Sequence, residues 1–177
     1  MSERINIPQK SIEKFKQVLL YILAEVGGKP NVGKTVLYKL LYFMDFDYYE
    51  LYEEQFIGLE YIKQQFGPVP VGFNDVIEQM KKDELIEEVK SKYFDRYQTK
   101  YLPRKNYNLS IFSALELDHM KKVLEKHSDK TAHEISNFSH SDIPWIAAEN
   151  NQPIDYEAVF YRNKLTSVRN YDEDIED

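Results

Sequence analysis

The residues most suggestive of chemistry are Gly28-Lys-Pro-Asn-Val-Gly33-Lys34-Thr35, which satisfy the pattern G-x-x-x-x-G-K-T. In a phosphate-binding loop of that kind the backbone amides cradle phosphate, the lysine reaches the outer phosphates and the hydroxyl holds magnesium. The chemistry requires a buried strand before the loop and a helix after it. Residues 12–26 instead place Ile12, Phe15, Val18, Leu19, Ile22, Leu23 and Val26 three and four apart, a helical stripe. Leu40-Leu-Tyr-Phe-Met-Asp45 imitates the magnesium-binding strand of such sites, but it falls inside the helix the loop would start. Gly28, Gly33, Lys34 and Thr35 are therefore read as a helix–loop–helix connection, not as nucleotide ligands. His133-Glu134-Ile-Ser-Asn137 opens like H-E-x-x-H yet carries Asn where the second imidazole belongs, so no metal site is expected. His140 is expected to bond locally within Ser139-His-Ser-Asp142 and hold the turn before Pro144. With no cysteine and no G-x-S-x-G serine, thiol and serine chemistry have no visible carrier. The expectation is a protein that is not an enzyme, with no cofactor.

Two charge constellations remain. Residues 90–105 hold Lys90, Lys92, Arg96, Lys100, Arg104 and Lys105 against the single acid Asp95, which leaves the rest of the chain at −12. Tyr93, Phe94, Tyr97 and Tyr101 are interleaved with these bases, so the stretch is a basic, aromatic segment. It reads either as the phosphate-contacting wing of a winged helix or as a solvated hairpin balancing an acidic body. The second constellation is Asp45, Asp47, Glu50, Glu53 and Glu54, near the end of a helix whose dipole they oppose. They are expected either to pair with the basic hairpin or to form an acidic, tyrosine-rich surface for a basic protein partner.

The elements that must position these groups are legible from periodicity. The stripe at 12–26 ends at Gly27-Gly28. A central helix at 34–52 has Val36, Leu37, Leu40, Leu41, Met44 and Tyr48 on one face, and Tyr38, Tyr42, Phe46 and Tyr49 widen it. Phe66-Gly-Pro-Val-Pro70 reads as a turn, with Pro70 able to open a short helix carrying Phe73, Val76, Ile77 and Met80. Leu85 to Leu109 reads as a hairpin turning near Asp95–Gln98. Ser113-x-x-Glu116 and Thr131-x-x-Glu134 fit the capping box and start helices near 114–127 and 132–139. Leu115, Met120, Val123 and Leu124 are expected inward in the first, Ile135 and Phe138 in the second, and Pro144-Trp145 opens one more short turn or helix. The fold class is mainly α with a small β hairpin or sheet (α+β), a compact helical domain around the helix at 34–52, with a winged-helix-like arrangement as a variant. One domain is expected over residues 1–165, followed at 166–177 by an acidic, disordered tail.

A formal net charge of −7 disfavours a general grip on DNA or anionic membrane. No apolar run approaches the ~20 residues that span a bilayer, and the first residues lack a signal-peptide layout. A cytoplasmic protein with no membrane contact is expected. The 14 tyrosines suit a wet core or a protein-binding surface.

Three elements occur in a familiar order. Lys39-Leu40-Leu-Tyr42-Phe-Met-Asp45, Gly67-Pro68-Val69-Pro70 and His140-x-x-x-Pro144-Trp145 resemble the hallmark motifs of the SocA-like or Panacea antitoxin family, also described as phage-associated GepA-like proteins. Phe66 stands where the family more often has Tyr. The resemblance implies an antitoxin of a bacterial or phage toxin–antitoxin pair that neutralises its cognate toxin by direct binding. One branch of the family acts as a proteolytic adaptor that hands its toxin to the ClpXP protease, and a DNA-binding winged-helix regulator is a further alternative. The motif residues Lys39, Leu40, Tyr42, Gly67, Pro68, Val69, His140, Pro144 and Trp145 are expected to hold the fold. Toxin contacts are expected from Asp45, Asp47, Tyr48, Tyr49 and Tyr52 at the helix end, with Tyr93 and Tyr97 of the hairpin second.

Overall fold

Apolar residues recur on every side of the helix at Lys34–Tyr52, so it can be stable only if covered all round. In the computed structural model, which describes residues 9–172, it is the axis of the molecule. This helix, α2, follows α1 (Gln9–Val26) and buries thirteen residues, including all of Lys39 through Tyr48. Its C-terminus closes with Glu53 in the left-handed conformation, whose amide donates to Tyr49 O at 2.8 Å.

Around α2 lie β1 (Tyr61–Gln64), β2 (Gly67–Pro70), α3 (Phe73–Lys82), β3 (Ile86–Tyr93), β4 (Arg96–Pro103), α4 (Ala114–His127), α5 (Ala132–His140) and α6 (Ile143–Ala147). Short 3-10 turns occupy Leu109–Ile111 and Tyr156–Tyr161. The strands form two separate antiparallel pairs, so the fold is mainly α with two small hairpins. Both expected capping boxes form: Ser113 and Thr131 accept from the amides of Glu116 and Glu134, whose carboxylates accept from the cap amides in return.

The segment at 66–70 is more than the expected turn. Gly67–Pro70 is a strand paired with Tyr61–Gln64 around a two-residue connection at Gln65-Phe66. Pro70 lies in that strand and does not open α3, which begins after Gly72 at φ 80°. Two prolines fit here because β2 is an edge strand that needs no further amide donors. The β3–β4 hairpin turns at Phe94-Asp95, between the paired Tyr93 and Arg96. Leu115, expected inward, is instead exposed on α4, while Met120, Val123 and Leu124 face the core.

Residues 166–172, assigned from sequence to the acidic tail, pack against α2: Thr166 is buried and Ser167, Val168 and Tyr171 all bond Glu50. The remainder of that tail, 173–177, lies outside the described residues. Among the described residues no helix is long and apolar enough to cross a membrane.

Candidate functional site

Of the five acids expected on a protein-binding surface, Asp45, Asp47 and Glu50 are inside the protein, while Glu53 and Glu54 are exposed. Asp45 is fully buried and accepts from the amides of Ile57 at 2.7 Å, Gly58 at 2.9 Å and Leu59 at 3.3 Å, and from the Tyr61 hydroxyl at 2.7 Å. It thereby folds the 55–59 connection back onto α2. Burial raises its carboxyl above the ordinary range, and those four donors oppose the rise.

One helical turn on, Asp47 and Glu50 meet Arg162, whose side chain is wholly enclosed. The guanidinium is bidentate to Asp142, Nε to Oδ1 at 2.8 Å and Nη2 to Oδ2 at 2.9 Å, while Nη1 donates to Asp47 at 2.8 Å and to Glu50 at 3.1 Å. The Tyr42 hydroxyl donates to Asp142 Oδ2 at 2.6 Å. Glu50 is completed by the Ser167 hydroxyl at 2.6 Å, the Val168 amide at 2.9 Å and the Tyr171 hydroxyl at 2.9 Å. One cation thus serves three buried carboxylates. Burial holds the Asp47 carboxyl up at about 6, and its share of Arg162 offsets only part of that.

Asp45 and Asp47 are consequently not available as contact residues. Tyr48 is buried as well, and the Tyr49 hydroxyl donates to Glu157. Of the helix-end tyrosines only Tyr52 is exposed. Among the described residues none of these acids pairs with the basic hairpin: Asp47 and Glu50 share Arg162, which no motif marks, and Glu53 lies 3.6 Å from Arg169. The available signal was physical: acids set among Phe43, Met44, Phe46 and Tyr48 on an all-round apolar helix are buried, and a buried carboxylate needs either a cation or several hydrogen-bond donors.

The motif residues meet at a second point. Lys39 Nζ, buried, donates to Pro68 O at 3.3 Å, and Gly67, at φ 116°, lies against the same lysine. A Cβ at Gly67 would stand 2.5 Å from Ser139 Oγ and 2.6 Å from Lys39 Cε, so only glycine allows α2, β2 and α5 to close. Burial lowers the Lys39 ammonium to about 8. His140 stacks on Trp145 at 4.5 Å and does not bond within its own Ser-His-Ser-Asp segment, while Lys63 Nζ lies over that indole at 4.2 Å. Leu40 and Pro144 are buried and Val69 is half-buried.

The glycine-rich loop is a strut. Its amides bond within the loop, Lys29 to Val26 O, Val32 to Lys29 O and Gly33 to Asn31 O. Its carbonyls accept from the hairpin: Lys100 Nζ donates to Lys29 O at 2.7 Å and Val32 O at 2.9 Å, and Gln98 to Pro30 O at 2.5 Å. Asn31 ties it to Ser128 and Lys130, and Lys34 turns away to Asn74 Oδ1 at 2.8 Å. Gly28 has open space around it, and Thr35 lies at the margin of a cleft.

That cleft, about 650 Å³, lies where the tip of the β3–β4 hairpin overhangs the N-termini of α2 and α5. Tyr93, Phe94, Arg96, Tyr97, Thr35 and His133 are on its walls. It adjoins a second depression of about 520 Å³ that shares Thr35, Arg96 and His133 and is bounded by Phe66 and His140. Tyr93 is half-buried here, whereas Phe94 and Tyr97 are 80% and 77% exposed. Among the described residues no group of three His, Asp or Glu side chains is arranged to hold a metal ion.

Residues 37–146, more than half of the chain, match the family model described as antitoxin SocA-like, Panacea domain. No curated protein and no solved structure gives a significant match.

Proposed function

The chain belongs to the SocA-like, Panacea-domain antitoxin family, and on that premise we propose that it neutralises a cognate toxin by binding it directly, without making or breaking covalent bonds. The family match carries the reading. The side-chain chemistry supports it: Asp45, Asp47, Glu50 and Asp142 are consumed by internal partners, and Lys34 is held by a neutral amide. His119 and His127 are buried, with burial lowering both imidazoles. A surface of roughly 1,200–2,000 Å² in total would be needed for stable capture.

The test is co-expression with the product of the adjacent gene. Growth restored by this protein, together with co-purification of the two chains, is the expected result. A toxic neighbour that stays toxic beside abundant folded protein, or a protein that removes the toxicity by turning over a small molecule, overturns the reading.

A further inference from the structure

We infer that the toxin docks at the cleft beneath the β3–β4 tip, and that the part seated there is an acidic segment with an apolar anchor. This rests on the toxin-binding reading and adds the place and the chemistry of the contact.

Three observations converge on the cleft. Five large apolar side chains are at least two-thirds exposed among the described residues, and three of them, Phe66, Phe94 and Tyr97, border these two adjoining depressions. Aromatic rings at the rim of a concave surface are the usual anchors of protein recognition.

The second observation is backbone strain. Phe94 sits at φ 55° in the hairpin turn, where glycine or asparagine is favoured. A bulky ring kept in that conformation and exposed to solvent does not serve the stability of the hairpin. Tyr93 packs against it edge-on at 4.7 Å and holds it out from the tip.

The third is charge. Arg96 lies in both depressions, is exposed, and has no carboxylate partner among the described residues. Lys34, at the same margin, meets only neutral groups among the described residues, the Asn74 amide and the rings of Tyr38 and Phe73. Asp95 is the one carboxylate on the walls of either depression. The start of α2, uncapped by any side chain, adds the positive end of a helix dipole. The cleft is therefore positive within a chain of net charge −7. The chain outside residues 90–105 carries a formal charge of −12, which disfavours an extended polyanion such as duplex DNA, whereas a short acidic peptide segment needs only the cleft.

The experiment uses the full chain and the purified toxin that the growth-rescue test identifies, with binding measured by calorimetry. Arg96→Glu and Phe94→Gly are each expected to weaken toxin binding by at least about tenfold. Both should leave the circular dichroism spectrum unchanged, and Phe94→Gly should keep or raise the melting temperature. Tyr52→Ala, at the opposite end of α2, should bind as the parent does. Exchange of one toxin acid for lysine should restore affinity to Arg96→Glu. Parent-like binding by both variants overturns the docking site and leaves toxin neutralisation standing; a parent chain that does not bind the toxin overturns both. Salt-dependent binding of duplex DNA that Arg96→Glu abolishes, with toxin affinity untouched, also overturns the docking site in favour of nucleic acid.

Discussion

Replacing Arg162 by methionine keeps most of the side-chain volume but leaves Asp47, Glu50 and Asp142 buried without their cation. Removing one partner of a buried ion pair typically costs about 3–5 kcal/mol, because the remaining charge is stranded. Here three charges are stranded, so the upper part of that range applies. A domain of this size loses roughly 2–4 °C in melting temperature per kcal/mol, so a loss of about 4–5 kcal/mol should make Arg162→Met melt roughly 8–20 °C below the parent at pH 7. The deficit should also depend on pH in a particular direction. Without the guanidinium, nothing offsets the burial that already raises the Asp47 carboxyl, so the folded variant binds that proton more tightly than the unfolded chain does. Its stability relative to the parent therefore recovers as pH falls toward 5 and declines as pH rises toward 7. Arg162→Lys should recover only part of the loss, since one ammonium cannot reproduce a bidentate contact to Asp142 together with donors to Asp47 and Glu50. Urea midpoints followed by circular dichroism at pH 5, 6 and 7 provide the measurement. A loss below about 1 kcal/mol at pH 7, or one that does not shrink on acidification, would refute the argument that this arginine neutralises a buried acidic cluster.

Further expectations follow from the other buried charges. Asp45→Ala strands the buried amides of Ile57 and Leu59 and the buried Tyr61 hydroxyl and should cost at least about 3 kcal/mol, at ~1–3 kcal/mol per unsatisfied buried group, read from urea denaturation; a near-neutral variant would show that the 55–59 connection is held otherwise. Asp47 is held by burial at about 6 against 3.8 when unfolded, so the folded protein binds this proton more tightly. Its contribution is present below about pH 4 and is lost as pH rises through 6, a change on the order of 3 kcal/mol that Asp47→Asn should remove from the pH profile of stability. Lys39 is lowered by burial to about 8 against 10.5, so its charge destabilises the folded state below pH 8, and that cost fades as pH rises toward 10.5. Lys39→Met should therefore be more stable than the parent by up to roughly 3 kcal/mol at pH 7 and equal to it near pH 10.5; destabilisation at pH 7 would mean that the Pro68 contact outweighs the burial of charge.

What could be read in the sequence, and what could not, divides along the range of the interactions. Helices α1, α2, α4 and α5 were legible because periodicity and capping are local: Ser113 with Glu116 and Thr131 with Glu134 contain the whole signal within four residues. That the loop at 28–33 joins two helices, with no strand before it, was also legible from the helical stripe of α1. The role of Asp47 and Glu50 was not. Their cation lies more than a hundred residues away on a segment that shows no pattern of its own, and an acid at the end of a helix looks alike in sequence whether it is solvated or enclosed. The β1–β2 hairpin was obscured by Pro68 and Pro70, which argue against a strand until its position at an edge is known. Among the expected contact residues, Tyr93 and Tyr97 reached the cleft because a hairpin tip projects by construction, whereas Asp45, Asp47 and Tyr48 did not, because a helix apolar on all faces leaves no side free.

The same geometry explains why the two ends of α2 have opposite characters. At its C-terminal end a single guanidinium must satisfy Asp142 in bidentate fashion while reaching Asp47 and Glu50, and this fixes the path of residues 162–171 across the helix. A hydrophobic cluster there could give equal stability with looser register, which is the general contrast between buried polar networks and oily cores. That end of the helix is closed by the protein's own chain. At the N-terminal end the strut of residues 27–33 is clamped by Lys100 and Gln98 from the middle of the hairpin, and its tip, with Phe94 and Arg96, extends past the last clamp. Clamping beneath an exposed aromatic and an unpaired cation lowers the entropy lost when a partner is captured. On the docking proposed above, a search for toxin contacts starts from the hairpin tip and not from Asp45 and Asp47, whose carboxylates are enclosed.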